Sequence, residues 1–182
     1  MKYLLMLKTR ILRLPVLFST LFSTLFTFSC SDMSAQGDLD KKVNSLLNHT
    51  VREIKSDELD TLLSENPDVV VLDTRSKKEY EVSRIGNAKF IDYDNFKPEM
   101  VKDIPKNQQI VVYCSVGYRS EKIGEKLQKM GYKNVLNLYG GIFGWKNTNH
   151  NVVDIQGQPT DSVHTYNKSW SKYLHKGVKV YD

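Results

Sequence analysis

The amino-acid sequence predicts an α/β fold, a central parallel sheet flanked by helices on both faces. Three observations point to it. Val69-Val70-Val71-Leu72 and Ile110-Val111-Val112-Tyr113 are unbroken apolar runs. They lack the alternation of a strand with one wet face and read as strands buried on both sides. Each is followed by a helical pattern, Ser76 to Val82 in one case and Ile123, Leu127 and Met130 at i, i+4, i+7 in the other. Asn134 to Leu138 then supplies a further short strand, so strands and helices alternate along the chain.

Residues 1–29 contain Lys2, Lys8, Arg10 and Arg13 and no acid, followed by an apolar stretch from Leu14 to Phe28. Pro15, the many hydroxyls and the short length favour an export signal over a permanent membrane helix. Taking those four cations from the 26 basic residues leaves 22 against 21 acidic ones, so the folded part carries no charge excess that argues for nucleic acid or a membrane surface. Residues 30–50 read as a polar tether, Ser31 to Gly37, and a short helix, Asp38 to Asn48, with Leu39, Val43, Leu46 and Leu47 on its inner face.

Val51 to Ile54 is a candidate edge strand. Ser56-Asp57-Glu58-Leu59 is a helix start with Ser56 as cap, Leu59, Leu62 and Leu63 form the inner face, and Asn66-Pro67 ends the helix. Beyond Asp73-Thr74-Arg75 and the short helix, Phe96, Met100, Val101 and Ile104 are expected to pack beneath the sheet. The helix after the central strand is predicted to run from Ser120, as N-cap, to Met130, with Gly131 as its stop. In the extension 148–182, Trp170, Tyr173 and Leu174 have helical spacing and are expected to wrap back on the core. The four histidines show no metal-ligand spacing and read as surface residues.

The chemistry concentrates at Cys114, placed where the central strand ends. A tight loop, Ser115-Val116-Gly117-Tyr118-Arg119, and a helix N-terminus beginning near Ser120 follow at once. Open α/β sheets bind ligands at this end of their strands. A cysteine is a nucleophile as its thiolate. Loop N–H groups converging on sulfur and the positive end of a helix favour that anion. Gly117 permits the curled backbone this requires, and Arg119 adds a full charge. Four residues separate Cys114 from Arg119, one fewer than in cysteine phosphatases, so the ring suits an anion centred on sulfur. Asp73 and Arg75, at the end of a second strand, are expected to pair with each other or with loop backbone and hold the fold; Arg75 could also add positive potential at the pocket mouth, and the two roles are compatible. The chain has two cysteines, Cys30 and Cys114.

Cys114-x-x-Gly117-x-Arg119-Ser120 resembles the active loop of the rhodanese family of sulfurtransferases. Leu72-Asp73-x-Arg75, then Glu79-Tyr80, then Ile85-x-x-Ala88 resembles the first half of that domain, and Gly140-Gly141 with Trp145 resembles its end. One departure is Arg84, where many members carry a histidine. The resemblance spans residues 51–147. It implies the rhodanese fold, a Cys114 persulfide, an active loop of residues 115–120, a small sulfur-containing anion as donor, and a thiol or cyanide-like acceptor, with no metal or organic cofactor. The alternatives are a sulfur carrier or sensing module that does not turn over, and a small-anion reductase or phosphatase. Cys30, directly after Ser29, resembles the lipidated cysteine of bacterial lipoproteins, although Thr27 and Phe28 depart from the usual pattern. That resemblance implies export to the cell envelope or periplasm and a lipid anchor in the membrane.

Overall fold

The computed structural model describes residues 30–181. The predicted export signal over residues 1–29 lies outside them, as does the side chain of Cys30 that would carry the lipid. Helix α1 (Cys30–Asn44) runs through the stretch predicted as a tether. Met33, Ala35 and Gln36 are good helix formers and lead directly into Leu39 and Val43, which are fully buried. The helix ends before Asn48, and Leu46 and Leu47 pack from the turn beyond it.

The sheet contains β1 (Glu53–Ile54), β2 (Val70–Asp73), β3 (Lys89–Phe90), β4 (Gln109–Tyr113) and β5 (Asn134–Leu138). Its order is β1-β5-β4-β2-β3, all pairs are parallel, and β1 is an edge as predicted. The crossovers are α2 (Ser56–Glu65), α3 (Lys77–Val82) and α4 (Tyr118–Lys129), and α5 (Gly141–Asn147) follows β5. Ser56 is the first residue of α2 rather than its cap; Lys55 holds the cap position, and its N–H is taken by Glu58 Oε2 at 3.1 Å.

Strand residues alternate between two apolar layers. Val71, Val111, Tyr113 and Leu138 pack with Leu39, Leu59 and Phe143 on one side. Leu72, Ile110, Val112 and Val135 pack with Ile123 and Leu127 of α4 on the other. This is why β2 and β4 read as continuous apolar runs: each successive residue enters a different core, at roughly 1.5–3 kcal/mol of transfer free energy per large side chain. Val101 and Ile104 join the second layer as expected, whereas Met100, on a 3-10 turn (Pro98–Val101), is exposed.

Asp73 and Arg75 are both fully buried. Arg75 Nε donates to Asp73 Oδ1 at 3.0 Å, and Nη2 donates to Asp73 Oδ2 at 2.7 Å and to the Ser83 carbonyl at 2.5 Å. Tyr113 Oη donates to the same carboxylate at 2.6 Å and accepts the Ile85 N–H at 3.1 Å. Burial opposes the charge on Arg75, but Asp73, Tyr113 and Glu79 together outweigh it and hold the guanidinium above its ordinary pKa. Burial, then Asp73, raises the Tyr113 phenol well above its usual value. Of the two roles open for Arg75, the structure supports the structural one: its guanidinium is held inside the protein by Asp73 and Ser83, not at a pocket mouth.

The C-terminal extension forms two small sheets, β6 (Val152–Val153) with β7 (Pro159–Thr160) and β8 (Ser162–His164) with β9 (Val178–Val180). Leu174 and Val163 are buried in the first apolar layer, and Trp170 and Tyr173 pack against it, so the extension does wrap back. It does so through a 3-10 turn (Ser171–Tyr173) rather than an α-helix. Arg84 explains its own departure from the family pattern. Its backbone exchanges hydrogen bonds with Val153 at 2.8 and 2.9 Å, and its guanidinium donates to the Asp154 carbonyl at 2.7 Å. His164 is buried, against expectation; Nδ1 accepts the Tyr166 N–H at 3.1 Å. No described helix is long and apolar enough to cross a membrane.

Replacing Asp73 with alanine leaves Arg75 buried without its partner. Urea unfolding is expected to show a loss of roughly 3–5 kcal/mol; a loss below about 1 kcal/mol would contradict the role assigned to this pair.

Candidate active site

Cys114 follows the last residue of β4 and is 1 % exposed, on the floor of a cavity of about 310 Å³. Access to its sulfur is through that cavity. The loop curls at Gly117, whose φ of 113° is a left-handed value suited to glycine. This turn brings the Gly117 N–H to 3.1 Å from Cys114 Sγ. Of the loop amides expected to converge on the sulfur, Gly117 makes the contact. Gly117 is also the N-cap of α4, three residues before the predicted cap Ser120, so the helix starts at Tyr118. The first N–H groups of α4 have no carbonyl one turn back, so the positive end of a twelve-residue helix stands at the loop.

Ser120 serves inside the first turn instead. Its hydroxyl lies 2.7 Å from Asn137 Oδ1 and 3.0 Å from the Gly117 carbonyl, which also accepts from Asn137 Nδ2 at 3.0 Å. Asn137 is a polar residue inside an apolar strand, NVLNL, and sequence reasoning assigned it no role. Its function is to hold the Gly117 carbonyl, and so to turn the peptide.

The carbonyls of Cys114 and Ser115 are captured from another side. Ile142 N–H donates to Cys114 O at 2.9 Å and Phe143 N–H to Ser115 O at 3.1 Å. The Gly140-Gly141 pair makes this approach possible. A Cβ on Gly141 would lie 2.3 Å from Cys114 O. The glycines therefore serve packing, as the resemblance implied, and the packing is against the active loop itself.

Arg119 does not reach freely into the cavity. Nη1 donates to Glu79 Oε2 at 2.8 Å and Nη2 to Glu79 Oε1 at 2.7 Å. Ser115 Oγ donates to Glu79 Oε1 at 2.8 Å and accepts from Arg119 Nη2 at 2.9 Å. Ser76 adds its N–H at 3.0 Å and its hydroxyl at 2.9 Å to Glu79 Oε2. Burial would raise the pKa of Glu79, but the Arg119 hydrogen bonds and charge, then Arg75 and Ser76, lower it to about 2. Burial likewise opposes the charge on Arg119, and the Glu79 hydrogen bond with the charges of a Cys114 thiolate and of Glu79 raises its pKa instead. The acid that braces the loop is thus Glu79, which the sequence showed as part of a motif and a helix start but not as a site residue.

Val116 and Tyr118 line the cavity with Cys114, Ser115 and Arg119. Leu46, Tyr93, Asp94, Tyr166 and Trp170 complete the lining, the last two from the extension. Asp73 and Arg75 are not among these residues. Among the described residues no group of histidine, cysteine, aspartate or glutamate has the arrangement of a metal site.

A folded-state pKa near 2 against an ordinary 4.5 makes Glu79 a source of stability that is complete above about pH 4.5 and lost as pH falls from there towards 2. Acid unfolding of the chain should therefore be less steep in Glu79→Gln across that window, with a lower stability plateau at neutral pH. Identical acid limbs in the two proteins would contradict the pairing.

Residues 55–148 match the family described as the rhodanese-like domain. A sulfurtransferase from Allochromatium vinosum is 34 % identical over 107 residues, 59 % of this chain and 99 % of that protein. A tRNA uridine(34) hydroxylase from Cytophaga hutchinsonii is 39 % identical over 84 residues, 44 % of this chain, but the match spans 27 % of that protein's length. A solved rhodanese-related protein from Thermoplasma volcanium superposes with a TM-score of 0.50 at 26 % identity, covering 56 % of this chain and 97 % of that one. With the parallel sheet, the Cys114 loop and the Gly140-Gly141 clamp all in place, the chain belongs to the rhodanese-like domain family.

Proposed function

We propose that this chain is a sulfurtransferase that moves a sulfane sulfur through a Cys114 persulfide. The observation that carries this is the Gly117 N–H at 3.1 Å from Cys114 Sγ, at the floor of an open cavity and at the head of α4. Thiosulfate is the simplest donor for the reaction. The Cys114 thiolate attacks the outer sulfur, a new S–S bond forms, and the donor's S–S bond breaks with its electron pair leaving on sulfite. A thiol or cyanide acceptor then attacks the outer sulfur of the persulfide, and Cys114 leaves as thiolate. This is covalent catalysis in two half-reactions. The loop amides and the α4 terminus stabilise negative charge on the leaving or attacking sulfur, as an oxyanion hole does for oxygen.

Arg119 supports the reaction by fixing the loop rather than by clasping the donor, because both of its terminal nitrogens are committed to Glu79. The same commitment disfavours a phosphatase, which needs its arginine free to hold a phosphoryl group. Hydroxylation of tRNA is the activity named for much longer relatives, and the near-zero charge of residues 30–182 gives it no support here.

For residues 1–29 we propose a lipoprotein signal that places the domain in the cell envelope with Cys30, the residue after it, lipidated, supported by the basic start, the apolar stretch and the cysteine that follows. Palmitate labelling is expected in the expressed chain and should vanish in Cys30→Ala; unlabelled, freely soluble protein would contradict it. For the reaction, intact mass spectrometry after thiosulfate treatment should show one added sulfur on Cys114, released as thiocyanate by cyanide and absent in Cys114→Ser. Persulfide without thiocyanate would instead identify a carrier. Absence of both products with thiosulfate and with an organic persulfide as donor, or hydrolysis of an aryl phosphate that depends on Cys114, would overturn the assignment.

A further inference from the structure

The cavity above Cys114 is larger and more aromatic than an inorganic anion requires. Its volume of about 310 Å³ falls at the lower end of pockets that hold organic ligands, roughly 300–1,000 Å³. Tyr93, Tyr118, Tyr166 and Trp170 supply ring surface to its wall. Two of these rings come from residues 149–182, beyond the stretch that matches the family, so they are additions of this chain.

The charge at the cavity also counts against a small dianion. The guanidinium of Arg119 is chelated by the Glu79 carboxylate, at 2.7 and 2.8 Å, and one face of it meets the Tyr166 ring, with its centre 5.9 Å from the ring centroid. Asp94 adds a negative charge to the lining. A doubly charged donor would meet a cation already neutralised and an acid in addition.

Tyr166 is also held in place at a cost. Its φ of 65° is a left-handed value uncommon for a bulky residue. The backbone is fixed there by its N–H bond to His164 Nδ1 at 3.1 Å and by Thr165 N–H to the Val180 carbonyl at 2.6 Å. The residue is 54 % exposed, so core packing does not account for its position. Strain of this kind persists where the surroundings enforce it, and here the result is an aromatic ring over the nucleophile's cavity.

We infer that the site takes its outer sulfur from the persulfide of an organic thiol, or delivers it to that thiol, whose body is apolar or aromatic, with Tyr166 and Trp170 as the residues that select it. This rests on the persulfide reading above and names the substrate class of that same site. In the donor direction the Cys114 thiolate attacks the outer sulfur of R–S–SH. The Cys114 Sγ–S bond forms, the donor's S–S bond breaks, and the electron pair leaves on RS⁻, which takes up the proton released when the new persulfide ionises. In the acceptor direction R–S⁻ attacks the outer sulfur and Cys114 leaves. Neither direction needs an external oxidant or reductant.

Sulfur loading of Cys114 in the full chain, followed by mass spectrometry, tests this with benzyl persulfide, methyl persulfide and thiosulfate as donors. The expected result is a kcat/KM for benzyl persulfide about tenfold above that for methyl persulfide, from stacking on the ring wall. Tyr166→Gly, which removes the ring while easing the backbone, should reduce that ratio towards one, chiefly by slowing benzyl persulfide; Tyr166→Phe should keep it. Asp94→Asn should raise the thiosulfate rate. Equal rates for the two persulfides, or a ratio untouched by Tyr166→Gly, would overturn the inference while leaving sulfur transfer standing. Failure of all three donors to load Cys114 would overturn the persulfide reading as well.

Discussion

One buried carboxylate organises the active end of this molecule. Glu79 receives two hydrogen bonds from Arg119, one from the Ser115 hydroxyl, and two from Ser76. These partners come from the start of α3, from the loop after β4 and from the first turn of α4. A carboxylate accepts this many donors only as the anion, so the network and the charge state of Glu79 are a single constraint. A buried ion pair is seldom a net source of stability against an apolar replacement. Its role here is geometric: it fixes the side of the loop that carries Ser115 and Arg119.

The inner side is fixed by backbone. A short loop around a sulfur atom must send its carbonyls away from the anion and its amides towards it. Three capture points do this, Ile142 N–H on Cys114 O, Phe143 N–H on Ser115 O, and Asn137 with Ser120 on Gly117 O. The first two require the backbone of Gly141 to lie against the loop, leaving no room for a side chain. The third requires a polar residue on the α4 face of β5. The loop is therefore shaped by residues distant in sequence as much as by its own composition, and rhodanese-like chemistry depends on β4, β5 and α5 meeting at one point.

The sequence showed β1, β2, β4 and β5, the buried character of β2 and β4, and the cysteine at the end of the central strand, because those follow from local composition: apolar runs without alternation, and a cysteine between a strand and a helix. It did not show what lies across the loop. Glu79 sits three residues after Ser76 in a capping box, and that local explanation masks a pairing with Arg119 40 residues away. Ser120 reads as a cap from its type, yet Gly117 caps the helix because only a left-handed residue turns the chain back to the sulfur. Arg75 carries the same charge as Arg119 in a similar strand-end position, and only the packed structure separates the one sealed with Asp73 from the one at the cavity. Trp170 was legible through its helical spacing with Tyr173 and Leu174, but Tyr166 was not, and the place of both rings over Cys114 is set by β8 and β9, which pair through a long loop.

The most direct test of this account is a crystal structure of the chain with Cys114 persulfidated. The account predicts the outer sulfur within hydrogen-bond reach of the loop amides, the Gly117 N–H still on the Cys114 side chain, and the Glu79–Arg119 pair unbroken. An outer sulfur held instead by an Arg119 that has left Glu79, with the loop amides turned away from it, would contradict the central claim that a braced backbone, and not a free guanidinium, stabilises the charge.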